Sequence, residues 1–215
     1  MHLMHDSSEN GLRERKKAAT RLSIETAAVD IVREQGYEAA TTEAIAAKAG
    51  VSLRTFFNYF PSKDTAIVGE SLSPIETGRA HLILEESGAD LLKGIARLVE
   101  ACVTAGDPRS ELTRRRRRLI HEHPPLFHRH VIAEAEFDRW LVEVVAGYLK
   151  THPSLRRLSG QTTVHEEARL SVVMVSSAVH YRVRLAIEND VDAALSHNDI
   201  EQTIDMMAEI HRKQP

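Results

Sequence analysis

The sequence holds a single cysteine, Cys102, so no disulfide can form within the chain. No apolar run approaches the length needed to cross a bilayer, and the opening MHLMHDSSENG lacks the apolar core of a secretion signal. Aromatic residues make up only 5%. Strong charge of either sign is missing too: 28 Lys and Arg stand against 31 Asp and Glu, a formal net charge of −3. That balance excludes a protein that coats nucleic acid through bulk charge. Catalytic signatures are also wanting. The sequence shows no HExxH, no glycine-rich phosphate loop and no Ser-His-Asp or Cys-His neighbourhood. These absences argue against an enzyme, a cofactor and a membrane span, and set the expectation of a soluble protein in a reducing cytoplasm.

What is present points to helices. The 215 residues are 42% hydrophobic and rich in Ala, Leu, Val, Glu and Arg, a composition that favours an all-α chain. Such a length can hold one large or two modest domains and bury a real core. The most informative stretch is TTEAIAAKAGVSLRTFFNYFPSKD, Thr41–Asp64. Thr42 reads as the N-cap of a helix over Glu43–Ala49, with Ile45, Ala46 and Ala49 as its apolar stripe. Gly50 suits the left-handed stop, Val51 plugs the corner, and Ser52 caps a second helix. Phe56 and Phe60 share one face of that second helix, whose other face carries Arg54, Thr55, Asn58 and Tyr59. That outer face offers base-reading and phosphate-reading side chains with almost no acid. The pattern is a helix-turn-helix whose second helix is the reader.

The same stretch resembles the N-terminal domain of the tetracycline-repressor family of bacterial transcriptional regulators. The matching residues are Thr42, Ile45, Ala46, Ala49, Gly50, Val51, Ser52, Thr55, Tyr59, Phe60, Lys63 and Asp64. Two positions depart from the family: Phe57 replaces a tyrosine, and Glu43 stands where an apolar residue is usual. Phe57 keeps a flat face for a thymine methyl but lacks a hydroxyl for phosphate. The resemblance implies an all-α fold: a three-helix DNA-binding head and a helical body that binds a ligand and dimerises. The expected division is an arm over 1–11, a head over 12–66 and a body over 67–215. Candidate DNA contacts are Arg13, Lys17, Thr42, Ser52, Leu53, Arg54, Thr55, Phe57, Asn58, Tyr59 and Lys63. From Arg13 to Lys63 nine Lys and Arg face six Asp and Glu, so the head carries the positive share of the charge.

In chain order, the first helix is expected from about Leu12 to Gln35, with Ile24, Ala27, Ala28 and Ile31 buried and Gly36 as its stop. A fourth helix is expected over Lys63–Leu72, and Ile75–Ser87 reads as irregular. Further helices are expected over Ala89–Thr104, Arg109–His121, Leu126–Thr151, Val164–Asn189 and Asp199–Lys213. The last two resemble the family's dimer interface, which makes a homodimer and a palindromic duplex operator the expected partners.

Arg114–Arg118 point all round a helix, so they read first as a solvated face with acid partners. The sharper alternative puts Arg115 or Arg118 on the anionic end of a ligand. Phe137, Trp140, Val144 and Met174 are the other candidate ligand-lining residues. With so few aromatics, a small apolar or acyl-type effector suits the body better than a flat drug. The middle helices also resemble the acyl-CoA-binding branch of the family. A second class of function remains: a redox or metal sensor using Cys102, or the cluster His121, His123, His128 and His130. Pro124 and Pro125 separate those histidines onto two helices, which disfavours converging ligands, and no metal is expected.

Overall fold

The computed structural model describes residues 6–69, 73–102, 111–189 and 196–211. They form ten α-helices, with no strand among the described residues: α1 Asp6–Gln35, α2 Thr42–Lys48, α3 Leu53–Tyr59, α4 Lys63–Val68, α5 Thr77–Glu85, α6 Leu91–Cys102, α7 Glu111–Glu122, α8 Pro124–Thr151, α9 Val164–Glu188 and α10 His197–His211. Short 3-10 turns lie at Tyr37–Ala39 and Pro153–Leu155. The all-α expectation holds. Helix α1 begins at Asp6, six residues before the expected start and inside the expected arm. Residues 1–5, and the expected ends of helices at residues 70–72, 103–104 and 212–213, lie outside the described residues.

The chain gathers into two compact units. The first contains the residues up to Gly69 together with Arg115–His130. The expected boundary at 66 lies three residues short of Gly69, and the expectation did not include Arg115–His130. Helix α1 is the floor of this unit. Ile24, Ala27, Ala28, Val29, Ile31 and Val32 are buried along it, a stripe repeating at three and four residues. Ile45 of α2, Phe56 of α3, Phe60 after it and Ile67 of α4 are buried with them, each no more than 2% exposed. Leu119, Ile120 and Leu126 of the returning segment are buried as well.

The second unit holds α5, α6, α9, α10 and most of α8 around an aliphatic core. Ile95, Leu98, Leu141, Val145, Leu149, Val172, Val175 and Ile200 are members, each at most 1% exposed. Helix α5 forms where the sequence reads as irregular. The Glu76 carboxylate accepts hydrogen bonds from the Gly78 and Arg79 N–H groups and so supplies the cap that starts it. Polar contacts stitch α10 to its neighbours: ion pairs of Lys93 with Glu201 at 3.1 Å and of Arg182 with Asp199 at 2.8 Å, and a hydrogen bond between His197 and Glu100 at 2.6 Å.

On α9 Leu170, Val173, Ser177, His180 and Arg184 are exposed, while Ala168, Val172, Val175 and Ala178 face the unit's own core. The apolar residues of α10 divide. Ile200 and Ile204 are buried and Met207 packs against the same core, whereas Met206 and Ile210 are exposed. No helix among the described residues is long and apolar enough to cross a membrane.

Candidate nucleic-acid interface

The reading corner is built by local capping. Thr41, rather than the expected Thr42, caps α2, accepting from the Ala44 N–H at 3.1 Å. Two adjacent threonines can each do this, and the backbone of Thr41 is extended as a cap requires. The other end of α2 closes with Gly50 at φ 69°, its N–H donating to Ala47 O at 3.1 Å and that of Val51 to Ala46 O at 3.0 Å. These crossed bonds satisfy carbonyls that the helix itself leaves open. Ser23 of α1 donates to Ala49 O at 3.2 Å and fastens the corner to the floor.

Ser52 then caps α3, accepting from the Thr55 N–H at 3.0 Å. Its hydroxyl also shares a 2.8 Å hydrogen bond with that of Thr55. Phe56 is wholly buried, and its ring lies 6.1 Å from that of Phe60. With both phenylalanines inward, the helix period must send Leu53, Arg54, Phe57 and Asn58 outward. All four are exposed, Phe57 to 51%. Thr55 and Tyr59 are half-buried at the edges. An exposed Arg and Asn on one helix face are donors suited to guanine and adenine edges, and Phe57 offers an apolar plate for a thymine methyl.

Of the expected phosphate contacts, Arg13 and Lys17 of α1 are exposed. Thr42 donates its hydroxyl to Glu43 at 3.0 Å. Lys63 lies 3.9 Å from the centroid of the Tyr37 ring and donates to the Tyr37 carbonyl at 3.2 Å. The Tyr37 hydroxyl donates to Asp64 at 2.6 Å, and burial together with that carboxylate pushes its pKa well above the usual tyrosine value. Arg21 stacks over the Phe60 ring at 5.0 Å.

The candidate ligand residues do not form one group. Phe137 and Val144 are buried on α8, and the Trp140 ring lies tilted against that of Phe137 at 5.4 Å between centroids. Met174 is 43% exposed on the outer face of α9. Arg115 falls in the unit of the reading head and pairs with Asp30 at 3.3 Å. Arg118, in the same unit, is exposed.

Cys102 is buried, and burial pushes its thiol up to about 11. His123 stacks on Tyr37 at 5.6 Å and His121 lies against Phe127. Among the described residues no group of three or more His, Cys, Asp or Glu comes together to hold a metal.

Sequence reasoning missed Glu25, Gly69 and Arg116, which form one buried cluster in the first unit. A signal for Arg116 existed. It stands three and four residues before Leu119 and Ile120, so a helix puts it on their face.

Residues 24–65 match the family model for bacterial regulatory proteins of the tetR family. Over 155 residues the chain is 24% identical to the uncharacterized HTH-type transcriptional regulator YvkB of Bacillus subtilis (strain 168), spanning 72% of this chain and 79% of that protein. Two solved structures are similar at 18% identity, each covering 91% of this chain and 96% of the other. One is the multidrug binding protein EbrR complexed with imidazole, at a TM-score of 0.44. The other is Thermus thermophilus FadR, a TetR family transcriptional repressor in complex with lauroyl-CoA, at 0.36. The family match lies across α2, the Gly50 corner and α3, where the geometry puts the reading face. Over residues 24–65 the chain carries a segment that matches the DNA-binding end of bacterial regulatory proteins of the tetR family.

Proposed function

We propose that this regulator is a homodimeric repressor that leaves a palindromic operator when a small apolar or acyl-type effector binds. The observation that carries the reading is the division of α3: Phe56 inward, and Arg54, Phe57 and Asn58 outward. Two such helices about 34 Å apart would enter successive major grooves on one side of a duplex. Leu53 and the capped Ser52 sit at the helix start, while Thr42, Tyr59, Lys63, Arg13 and Lys17 surround it for the phosphates. Lys63 would have to swing from the Tyr37 ring to reach one.

Dimerisation through α9 and α10 is supported by the apolar side chains that α9 turns outward. Leu170, Val173, Met174 and Tyr181 are each more than 40% exposed on this helix. A stripe of that kind on a charged protein is a contact in waiting.

The effector reading rests on the body's lining. Around Phe137, Trp140 and Val144 the second unit is aliphatic, and burying a flexible chain there would contribute about 0.8 kcal/mol per methylene. Arg115, held by Asp30, is not among the proposed ligand contacts. An effector that prefers one arrangement of the dimer would lower operator affinity by its differential binding. The redox alternative is weakened by the burial of Cys102, since a neutral buried thiol is a poor sensor.

Selection from a random duplex library tests the reading. It should return a two-fold symmetric site bound far more tightly than bulk DNA. Titrating that complex with acyl-CoAs of increasing length should then release the duplex, more effectively as the chain lengthens until the lining is full. Enrichment of no sequence would refute the DNA reading. Release by planar cationic dyes but by no acyl chain would refute the effector class.

A further inference from the structure

Arg114–Arg118 wind round more than one turn of α7, and the helix delivers them to different surroundings. Arg114 is exposed and pairs with Glu111 one turn earlier at 2.7 Å. Arg115 reaches Asp30 of α1. Arg116 is only 7% exposed. Its Nη2 donates to Glu25 Oε2 of α1 at 2.8 Å, and its Nε to the Ile67 carbonyl of α4 at 2.9 Å.

Both partners are groups that need a donor. Ile67 lies in the last turn of α4, where carbonyls have no acceptor role within the helix. Glu25, 9% exposed, sits beside Ile24 on the buried side of α1, where a charge without a partner is costly. The slot is also shaped for a guanidinium. Gly69 holds φ 66°, and a Cβ there would fall on the Arg116 guanidinium carbon. A planar fork can meet a carboxylate and a carbonyl that lie in two directions, whereas an ammonium on a flexible stem cannot hold both so well.

We infer that Arg116 is a positioning residue for DNA binding. It caps the end of α4 from another part of the chain and ties that end to α1. Helix α4 follows the reading helix after the three residues Phe60–Ser62, and α1 carries the basic residues Arg13, Arg15, Lys16 and Lys17, so their registration fixes how the reading face is presented. The segment Arg115–Glu122 thereby completes the head. The inference rests on the DNA-binding reading, and its test separates the two.

Full-length Arg116→Met, Arg116→Lys, Arg114→Ala and the double variant Glu25→Leu/Arg116→Met are compared with wild type. Three readouts are taken: thermal unfolding, hydrogen exchange of α4 amides, and affinity for the duplex that wild type selects from a random library. A buried ion pair replaced by apolar side chains of similar volume commonly keeps its stability. The double variant should therefore melt like wild type, yet exchange α4 amides and lose the selected duplex at least about tenfold more readily. Arg116→Met should show both losses, and Arg116→Lys, which keeps the charge beside Glu25 but lacks the second arm, should show them too. Arg114→Ala removes one charge from the same run and should stay within about twofold of wild type. Wild-type affinity and α4 protection in the double variant or in Arg116→Lys would overturn the inference. So would an equal loss in Arg114→Ala, which would make total charge the cause. If wild type selects no duplex, the DNA reading falls, and the exchange of α4 still decides whether Arg116 caps it.

Discussion

Replacing Gly69 by alanine, with and without Arg116, isolates the cost of displacing the buried arginine, and Gly50 shows what an uncrowded glycine costs. Both glycines follow helices of the first unit at positive φ, 66° and 69°, but Gly69 also holds ψ −178°, a conformation essentially confined to glycine. A Cβ at Gly50 meets nothing within 4 Å, whereas one at Gly69 collides with the Arg116 guanidinium. The backbone cost of a left-handed alanine is roughly 1–2 kcal/mol, offset by about 0.4–1 kcal/mol because the unfolded chain also loses freedom. Gly50→Ala should therefore cost about 1 kcal/mol. At Gly69 the guanidinium must also leave, breaking the 2.8 Å pair with Glu25 and the 2.9 Å bond to the Ile67 carbonyl. Stranding one member of a buried pair costs about 3–5 kcal/mol, so with the backbone strain Gly69→Ala should lose at least about 4–6 kcal/mol in all. That approaches the whole stability of a modest domain. Denaturant unfolding followed by far-UV circular dichroism measures both variants. In an Arg116→Ala background the Gly69→Ala penalty should shrink by about the 3–5 kcal/mol of the stranded pair, leaving only the backbone strain, because the colliding atoms are gone. Equal losses for Gly69→Ala and Gly50→Ala in the parent would refute the reasoning.

Arg54→Ala should weaken the selected duplex by about 1–3 kcal/mol while barely changing binding to random DNA, as expected for a base contact; an equal loss on both, read by competition binding, would make Arg54 a phosphate contact. Lys63→Ala should lower binding to all sequences alike and reduce the salt slope by about one unit if the ammonium leaves Tyr37 for a phosphate. An unchanged slope would keep Lys63 on Tyr37. Val173→Glu should convert the dimer to monomer by sedimentation without lowering helix content, since Val173 is 52% exposed on its own chain; a dimer that persists would move the interface elsewhere. Cys102 should resist maleimide at pH 8 in the folded protein, because burial holds its thiol up near 11, and should react promptly in denaturant.

The reading corner was legible because every interaction that builds it is short in sequence. Gly50, Val51 and Ser52 act on groups no more than five residues away, and the inward pair Phe56 and Phe60 follows from the helix period alone. The expected cap slipped by one residue because Thr41 and Thr42 have the same chemistry, and backbone conformation rather than residue type chooses between them. Helix α9 was half legible. Its period was plain, but both faces are apolar, and pattern alone does not say which one meets the chain's own core. Ala178 is wholly buried in its own unit. The outward face instead carries the larger Leu170, Val173 and Tyr181. Met207 teaches the same lesson on α10, where a helix expected at the dimer interface packs this residue against the intrachain core.

The arginine run sets the limit of local reading most sharply. Five identical side chains in a row carry no information in their type, so all of it lies in helical phase. Phase alone places Arg116 with Leu119 and Ile120 on the buried side of α7, and that much the sequence contains. What phase cannot supply is a partner. Glu25 and Asp30 lie 91 and 85 residues away, and nothing in either neighbourhood is complementary until the chain has folded back. A charged residue on an apolar face is therefore a demand whose answer lies elsewhere in the sequence. Glu25, next to Ile24 in the buried stripe of α1, is the matching demand. Two such misfits of opposite sign on faces that must both be buried are each other's natural partners, because leaving either alone costs more than pairing them. By that argument the return of Arg115–His130 to the head was inferable from two misplaced charges, though from no motif.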